Sequence, residues 1–484
     1  MAAEPMSANW TLRVPPDLME ELQTHLFPGN GDEHGAVIGA SVVSTNRGHR
    51  LLARRLFLAE EGIDYVPGQR GYRMLTAAFV RDCALDCADE GLAYLAVHCH
   101  GGSDRVGFSP DDLASHERGY PALLDILDGQ PVGGLVFARQ AVAGAIWSAD
   151  GGRAELQHLE VPGRPIRRLF PTPPARPPAA DDRYDRQARL FGDRGQALLL
   201  TQKVGVIGAG GAGSLILEYL SRLGVGNIIT IDPERIEPSN TPRVVGSNRR
   251  DLRPLLTHRL APRWLHAFGE RRRTAKVAIA ERVAREAQPM INIETIFGDI
   301  TDSAVAERLL DCDYLFLGAD TMQARLVFNA IVHQYLIPGV QVGAKARVDA
   351  ATGALLDLFS VVRPVVPGDG CLWCNGLISP AKLQEEATSR EQLDVQRYVD
   401  EVGVNAPSVI TMNAVAAAHA TNDYLMTVTG MLETSAIRWA MYYPRGGEVA
   451  YDIPRTDAGC PECSRTPGRL GKGPLGHLPA RSAH

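Results

Sequence analysis

The stretch Lys203-Val-Gly-Val-Ile-Gly-Ala-Gly-Gly-Ala-Gly-Ser214 decides the fold of the second half of this chain. Its apolar first residues predict a short buried strand, and residues 215–223 have the pattern of a helix. A second strand, residues 227–231, ends in Asp232. Glycine permits a tight turn and close backbone approach, so the sequence predicts a phosphate-binding βαβ unit with Asp232 placed for a ribose hydroxyl. The glycines of the turn are Gly208, Gly210, Gly211 and Gly213.

Further charged motifs accompany this turn in a definite order. Arg-Tyr-Asp-Arg-Gln at 183–187 precedes it, Ser-Asn-Thr-Pro-Arg at 239–243 follows it, and Lys276 comes next. Asp320 and Arg325 then follow a predicted strand at 314–318. This ordered set resembles the ThiF/ubiquitin-activating superfamily of adenylating enzymes, over roughly residues 182–464. An NAD-binding domain, the alternative for a glycine motif alone, leaves the ordered set unexplained.

The resemblance implies an enzyme that joins a carboxylate to the α-phosphate of ATP. Arg243 and Lys276 would neutralise the phosphates, and Asn240 would orient one of them. Asp320 would hold Mg²⁺, which prefers carboxylate and water oxygens. Arg186 would reach into the active site of the partner subunit of a homodimer. ATP and Mg²⁺ are therefore the expected cofactors of this domain.

The interval between Arg243 and Lys276 departs from the family. It carries Asn-Arg-Arg-Asp-Leu-Arg at 248–253 and Glu-Arg-Arg-Arg at 270–273, where sulfur-carrier adenylyltransferases have far fewer residues. One interpretation is a docking surface for an acidic partner or for nucleic acid. The mixed charge and the single Trp264 favour the simpler interpretation, a solvated surface insertion.

The cysteine pattern predicts a structural zinc site. Two Cys-x-x-Cys pairs at this spacing are typical of a closed four-cysteine site, which stabilises a fold without catalysing a reaction. Ubiquitin-type activators usually carry a thioester-forming cysteine after the first pair, but residues 375–408 contain none. Two fates of an activated carrier protein therefore stay open. It could react with a sulfur donor, or it could be conjugated to an amine. The paired cysteines are Cys371, Cys374, Cys460 and Cys463.

The first third of the chain contains a second candidate site. Leu-Ala-Val-His-Cys-His at 95–100 predicts a strand with His98 and His100 on one face. Ser109, followed by proline, is suited to begin a helix, which places Asp112 in its first turn. Two histidines and an aspartate predict an open zinc site with water in the fourth position. Glu33, at the start of an upstream apolar strand, could act as general base for that water.

These five residues resemble the JAMM (JAB or MPN) metalloproteases, which include deubiquitinating enzymes. The resemblance implies that Ser109 helps to stabilise an oxyanion. Gly101 stands where the family often has proline, and the loop to Ser109 is about a residue longer than usual. Neither change removes a ligand. The alternative is a pair of strand histidines satisfied by hydrogen bonds in a fold that binds no metal.

These motifs predict an α/β chain with two domains. Residues 1–160 would form a JAMM-type α/β domain, 161–182 a proline-rich linker, 183–464 a Rossmann-like adenylating domain, and 465–484 a disordered tail. The net charge of −6 argues against a dedicated nucleic-acid binder. No apolar run is long enough to span a membrane. The N-terminus has no pattern of a secretory signal, and the cysteines are unpaired, so the sequence predicts a cytoplasmic protein.

Both resemblances concern the C-terminus of a ubiquitin-like (β-grasp) carrier protein. The sequence therefore predicts a bifunctional enzyme that trims or deconjugates such a carrier and then activates its terminal glycine with ATP. A sulfur donor or a conjugating enzyme would receive the carrier, in biosynthesis or in a bacterial defence pathway. Two other possibilities are a peptide-modifying adenylyltransferase and a scaffold with both sites inactive.

Overall fold

The computed structural model describes residues 9–67, 73–257, 262–349, 352–387 and 407–482. The chain divides into two compact units. Unit 1 comprises residues 1–176, 333–336 and 458–477, and unit 2 comprises residues 177–332, 337–457 and 478–484. Among the described residues, none of the helices combines the length and the apolar character needed to cross a membrane.

Unit 1 is built on a sheet that closes on itself. Its strands follow the order β1-β3-β2-β4-β5-β6-β7-β8, and β1 also pairs with β7. Closure of this kind gives every strand of the ring two neighbours and removes the unpaired edges of an open sheet. The strands are β1 (Trp10–Arg13), β2 (Gly35–Thr45), β3 (Gly48–Leu58), β4 (Ala93–Cys99), β5 (Val132–Phe137), β6 (Val142–Trp147), β7 (Arg153–Val161) and β8 (Arg167–Leu169).

Three α-helices among the described residues pack on this sheet in unit 1. Helix α1 (Pro16–Leu26) buries Leu18, Met19 and Leu22 in the cluster formed by β1–β7. Helices α2 (Ala77–Asp89) and α3 (Pro110–Ile126) pack in a second cluster with Tyr94 and Val132. Helix α3 connects β4 to its parallel neighbour β5, so the end of β4 meets the beginning of α3. This junction carries the histidines and the aspartate predicted from the sequence.

Two segments differ from the sequence-based expectation of irregular chain. The first part of the predicted linker contributes β8, which pairs antiparallel with β7. The predicted disordered tail makes defined contacts within both units. In unit 1 the Gly471 amide donates to the His333 carbonyl (3.1 Å), and in unit 2 the Arg481 amide donates to the Thr301 carbonyl (2.6 Å). The glycine content of the tail suggested disorder, but glycine also lets the tail pass close to other backbone. A Cβ at Gly471 would lie 2.7 Å from the Ala53 carbonyl oxygen.

Unit 2 contains the predicted Rossmann-like sheet. Its strands follow the order β11-β10-β9-β12-β13-β14-β15-β16, with β9–β13 parallel and the rest antiparallel. Since chain order reverses between β9 and β12, the carboxyl ends of these strands form the crevice where such sheets bind ligands. The strands are β9 (Lys203–Ile207), β10 (Asn227–Ile231), β11 (Asn292–Ile296), β12 (Tyr314–Leu317), β13 (Gly339–Val348), β14 (Leu355–Val365), β15 (Trp439–Tyr443) and β16 (Glu448–Asp452).

The helices of unit 2 connect and cover this sheet. Helix α5 ends at Gly224, whose φ of +84° is the left-handed conformation that favours glycine. The long α11 packs against α5, β13 and β14. The helices are α4 (Asp185–Thr201), α5 (Gly211–Leu223), α6 (Arg263–Arg271), α7 (Lys276–Ala287), α8 (Ser303–Ala306), α9 (Met322–Gln334), α10 (Pro380–Ala387) and α11 (Ile410–Thr429).

Candidate active sites

The glycine turn of unit 2 is closed by its own backbone. Gly208 has a φ of +92°, and its amide donates to the Ile231 carbonyl at 2.8 Å. A Cβ placed on Gly213 would lie 1.8 Å from the Gly208 carbonyl oxygen, so only glycine fits there. Gly210 differs, since a Cβ there would meet nothing within 4 Å. The turn thus brings the first turn of α5, with its N–H groups, to the carboxyl edge of the sheet.

Asp232 lies at the end of β10 and is bound to this turn. One carboxylate oxygen accepts from the Ala209 amide and the other from the Glu234 amide, both at 2.8 Å. Burial raises the pKa of Asp232, although Lys276 and the two amides favour the charged form. The carboxylate therefore fixes the glycine turn at the place where the sequence predicts a ribose-binding group.

Lys276 and Arg243 both lie close to the turn region. The buried Lys276 ammonium contacts the exposed Glu234 carboxylate, next to Asp232 in the chain. A Cβ on Gly211 would be 3.5 Å from Arg243 Cδ, which places this arginine side chain beside the start of α5. Two of the cations predicted from sequence are thus brought to the same edge of the sheet.

Asn240 forms hydrogen bonds that stabilise a backbone turn, which the sequence did not predict. Its side-chain oxygen accepts from the Glu237 amide at 3.2 Å, and its carbonyl accepts from the Arg243 amide at 3.0 Å. Asn240 therefore shapes the turn that carries Arg243. The predicted role in orienting a phosphate stays a prediction.

Asp320 follows β12 and is exposed at the same carboxyl edge. Nearby Arg325 donates to the Leu377 carbonyl at 3.1 Å. Burial lowers the pKa of Arg325, while Asp320 and Glu386 oppose this effect. Arg186 is exposed on α4, and its role in a partner subunit stays a prediction.

The structure adds two residues that the sequence did not reveal. Glu386 of α10 accepts from the Met322 and Gln323 amides at 2.8 and 2.9 Å and so caps α9 beside Asp320. Asn413 of α11 lies against the glycine turn, because a Cβ on Gly211 would be 2.3 Å from its Nδ2 atom. Both residues are far from the glycine motif in sequence, so no local pattern could have identified them.

The predicted histidine and aspartate ligands of unit 1 converge. His98 Nε2 lies 3.4 Å from one Asp112 oxygen, and His100 Nε2 lies 3.5 Å from the other. Glu33 precedes β2, in which Gly35 pairs with His98 of β4. The Glu33 carboxylate lies 3.8 Å from His100 Nε2. The ligand atoms of the two histidines and the aspartate all lie within 4.8 Å of one another. The structure therefore groups them as the sequence predicted.

The electrostatics of this cluster fit a bound cation. Burial raises the pKa of Glu33, against the opposing effect of His100. Burial would also raise that of Asp112, but His98 and the hydrogen bonds from Ser109 lower its pKa well below the ordinary value. His98 Nε2 is buried and makes no hydrogen bond among the described residues. A buried nitrogen without a hydrogen bond, aimed at a carboxylate and a second imidazole, is suited to a metal with nitrogen and oxygen ligands.

Ser109 has a structural role at the beginning of α3. Its hydroxyl oxygen accepts from the Asp112 amide at 3.1 Å, and Asp112 accepts from the Ser109 amide at 2.7 Å. This capping box orients the Asp112 carboxylate toward the histidines. The serine hydroxyl also has a proton to donate, so the predicted oxyanion role stays compatible with the geometry.

His116, one helical turn beyond Asp112 on α3, is buried. Its ring stacks on Tyr120 with centroids 4.5 Å apart and meets Phe108 edge-on at 5.1 Å. Burial lowers the pKa of His116 to about 4. The sequence offered no signal because α3 is amphipathic only in part, and Gly134 of β5 opens the space that the ring fills: a Cβ there would be 2.6 Å from His116 Cε1.

The four paired cysteines form the second group of possible metal ligands. Cys371 and Cys374 belong to unit 2, and Cys460 and Cys463 belong to unit 1. The Glu462 amide approaches Cys460 Sγ at 3.4 Å, an N–H···S contact of the kind that stabilises a thiolate. The donor set is that of a closed structural zinc site. These residues are Cys371, Cys374, Cys460 and Cys463.

Comparison with known families decides the assignment of unit 2. The model of the ThiF family matches residues 184–457, more than half of the chain. The chain belongs to the ThiF family. The matched stretch contains the glycine turn, Asp232, Lys276 and Asp320, whereas the histidine–aspartate cluster lies outside it. Residues 388–406, most of the segment in which a thioester cysteine was sought, lie outside the described residues.

Individual ThiF relatives cover parts of the chain. The SAMP-activating enzyme E1 of Haloferax volcanii is 26% identical over 40% of this chain and 61% of its own length. The sulfur carrier protein ThiS adenylyltransferase of Bacillus subtilis is 27% identical over 42% of this chain and 56% of its own. This ThiF chain thus spans less than two thirds of either relative. Among solved structures, that of E. coli MccB is similar to this chain, with 18% identity and a TM-score of 0.44. The matched region is 58% of this chain and 72% of the MccB chain.

Proposed function

We propose that unit 2 adenylates the C-terminal carboxylate of a ubiquitin-like carrier protein with ATP and Mg²⁺. The observation that carries this proposal is the set of groups at one edge of the sheet: the closed glycine turn, Asp232, Arg243, Lys276 and Asp320. Such a set provides donors and positive charge where pyrophosphate leaves. Two ThiF relatives, a SAMP-activating enzyme E1 and a sulfur carrier protein ThiS adenylyltransferase, support a carrier protein as substrate.

Each residue of unit 2 would have a distinct part in this reaction. The N–H groups at the start of α5 and the Arg243 guanidinium would bind phosphate oxygens. Lys276 would bind a phosphate of ATP. Its present partner Glu234 is exposed, so a stronger anion can replace that carboxylate. Asp320 would hold the magnesium ion, and Asp232 would accept a hydrogen bond from the ribose. Arg186 would act across a homodimer interface, as the family resemblance implies.

We also propose that unit 1 is a zinc peptidase acting on the same carrier. His98, His100 and Asp112 would hold the ion, and zinc there would polarise a carbonyl and lower the pKa of water. Glu33 would accept the proton, because its raised pKa suits a general base. Ser109 would donate to the oxyanion. Cleavage after the terminal glycine would supply the carboxylate that unit 2 activates, whether from a precursor or a conjugate.

Attack of a sulfur donor on the acyl carbon of the carrier adenylate, which breaks the bond to AMP and releases AMP, is the favoured next step. A thioester relay needs a thiol, and residues 375–408 contain no cysteine. The four-cysteine cluster would hold structural zinc instead of serving as that thiol. Conjugation through a partner enzyme is the second outcome, and a short peptide substrate is the third.

The test uses ATP–pyrophosphate exchange and peptide cleavage with the same carrier, drawn from the ubiquitin-like proteins encoded in the same genome. Asp320→Asn should lower exchange by about 100-fold and leave cleavage unchanged, since it removes one charge that holds Mg²⁺. Glu33→Gln should lower cleavage by about 100-fold and leave exchange unchanged. If either variant lost both activities while folded, the assignment of two separate sites would be wrong.

A further inference from the structure

The insertion of unit 2 between Arg243 and Lys276 forms a cationic and aromatic surface. It consists of a short turn at 249–252 and helix α6 (Arg263–Arg271). Its described residues, 248–257 and 262–273, contain seven arginines, no lysine and only two acidic residues, Asp251 and Glu270. We call this surface the arginine patch. Because the whole chain has a net charge of −6, the patch is a local reversal of sign.

Both acidic residues of the patch are already paired within the fold. Asp251 is buried and accepts two hydrogen bonds from Arg282 of α7, at 2.9 and 3.2 Å. Glu270 lies 3.1 Å from Arg273 and 3.8 Å from His266. Their charges are therefore compensated locally. Four exposed arginines have no ion pair among the residues that the structure describes: Arg249, Arg250, Arg263 and Arg271.

Large apolar side chains are exposed among these arginines. Trp264 is 72% exposed and Phe268 is 46% exposed, and their i, i+4 spacing puts them on one face of α6. Leu255 is 89% exposed. The Arg272 guanidinium lies 5.0 Å from the Phe268 ring, which keeps cation and ring together. Exposed tryptophan, phenylalanine and arginine without lysine is the composition enriched at the centres of protein interfaces.

The position of the patch connects it with the nucleotide site. The insertion ends where the Thr274 carbonyl accepts from the Ile236 amide at 2.9 Å, and Arg235 bridges to Ala275. Those contacts hold the base of the patch beside the end of β10, which carries Asp232. A protein bound to the patch would therefore lie next to the carboxyl edge of the sheet.

We infer that the arginine patch docks an acidic face of the carrier protein that unit 2 adenylates. Carboxylates on the carrier would pair with the four arginines, and an apolar residue would cover Trp264. Protein is favoured over RNA by the exposed leucine and by the absence of lysine beside the arginines. This inference rests on the proposed function, which supplies the identity of the occupant.

The experiment measures carrier binding and adenylation separately. Carrier is titrated onto the full-length enzyme without nucleotide by interferometry, and ATP–pyrophosphate exchange is measured against carrier and ATP concentration. Trp264→Ala should weaken carrier binding about 30-fold. Arg271→Glu should weaken it about tenfold, with less effect at high salt. Both should raise KM for carrier and leave kcat and the KM for ATP unchanged, since neither residue is among those assigned to bind ATP.

The matched control is Arg118→Glu, which makes the same charge change at an exposed position of unit 1. It should leave carrier affinity unchanged. Equal KM values for carrier in the wild type and both patch variants would overturn the inference, and so would tighter binding of a labelled 20-nucleotide RNA than of carrier. Patch-dependent carrier binding without any exchange would instead refute the proposed adenylation and retain the docking surface.

Discussion

Replacing Gly213 by alanine should open the glycine turn of unit 2. The added Cβ would lie 1.8 Å from the Gly208 carbonyl oxygen, whereas even 3.0 Å is closer than real Cβ atoms come. The Gly208 peptide would have to withdraw, which strains its hydrogen bond to Ile231 and that of Ala209 to Asp232. Overpacking and two weakened hydrogen bonds together cost about 3 kcal/mol. For a unit of nearly 300 residues, with an unfolding entropy of about 2 cal/mol/K per residue, Tm should fall by about 5 °C.

The assay combines thermal unfolding followed by circular dichroism with calorimetric titration of Mg·ATP. Gly210→Ala is the control, since a Cβ there meets nothing within 4 Å and the backbone φ is −76°. Its Tm should stay within about 1 °C of the wild type. Loss of ATP affinity in this control would report direct contact with the nucleotide. A Gly213→Ala protein with unchanged Tm and ATP affinity would refute this account of the turn.

Three further predictions concern the metal sites and the core. The purified protein should contain two zinc ions per chain by elemental analysis, and Cys374→Ser should reduce this to one, whereas Cys83→Ser, outside both clusters, should not. His98→Ala should likewise remove one zinc and abolish peptide cleavage, and retention of two ions would contradict the ligand assignment. Glu160→Gln should destabilise unit 1 by about 3–5 kcal/mol in denaturant titration, because Arg13 and Arg168, each 3.0 Å from Glu160, stay buried without their counter-charge.

Glu160 also predicts a pH dependence of stability. Burial alone would raise its pKa, but Arg13 and Arg168 lower it from 4.5 to about 2. The charged form is thus favoured by folding, so this stabilisation is complete above about pH 4.5 and is lost as pH falls toward 2. In denaturant titrations, the free energy of unfolding of the wild type should fall across this pH window. That of the Glu160→Gln variant should fall less. Parallel curves would contradict the assignment.

Local patterns were sufficient for the elements that carry the two sites. Short apolar runs before and after the glycine turn located β9 and β10, and Ser109 with its proline located the beginning of α3. The His-x-His spacing predicted that His98 and His100 lie together because the period of a strand puts both rings on one face. These inferences need only a few neighbouring residues, so tertiary context did not override them.

Tertiary context decided what local patterns missed. Glu386 caps α9 and Asn413 lies against the glycine turn, and each comes from an element remote in sequence. His116 is buried because Gly134 leaves room for its ring, a fact of packing that composition does not encode. The tail at 465–484 was expected to be disordered from its glycine and proline content, yet Gly473 packs so closely that a Cβ on it would lie 2.7 Å from Ser41 Oγ.

Intact mass spectrometry of the carrier tests the central claim most directly. The full-length protein is incubated with Mg·ATP and a ubiquitin-like protein ending in glycine, with and without a thiol reductant. We predict that the carrier gains the mass of one adenylyl group, which is AMP less one water, in the wild type but not in Asp320→Asn, with release of pyrophosphate. An unmodified carrier, with ATP converted to ADP and phosphate or left intact, would contradict the assignment of unit 2 as a carrier adenylyltransferase.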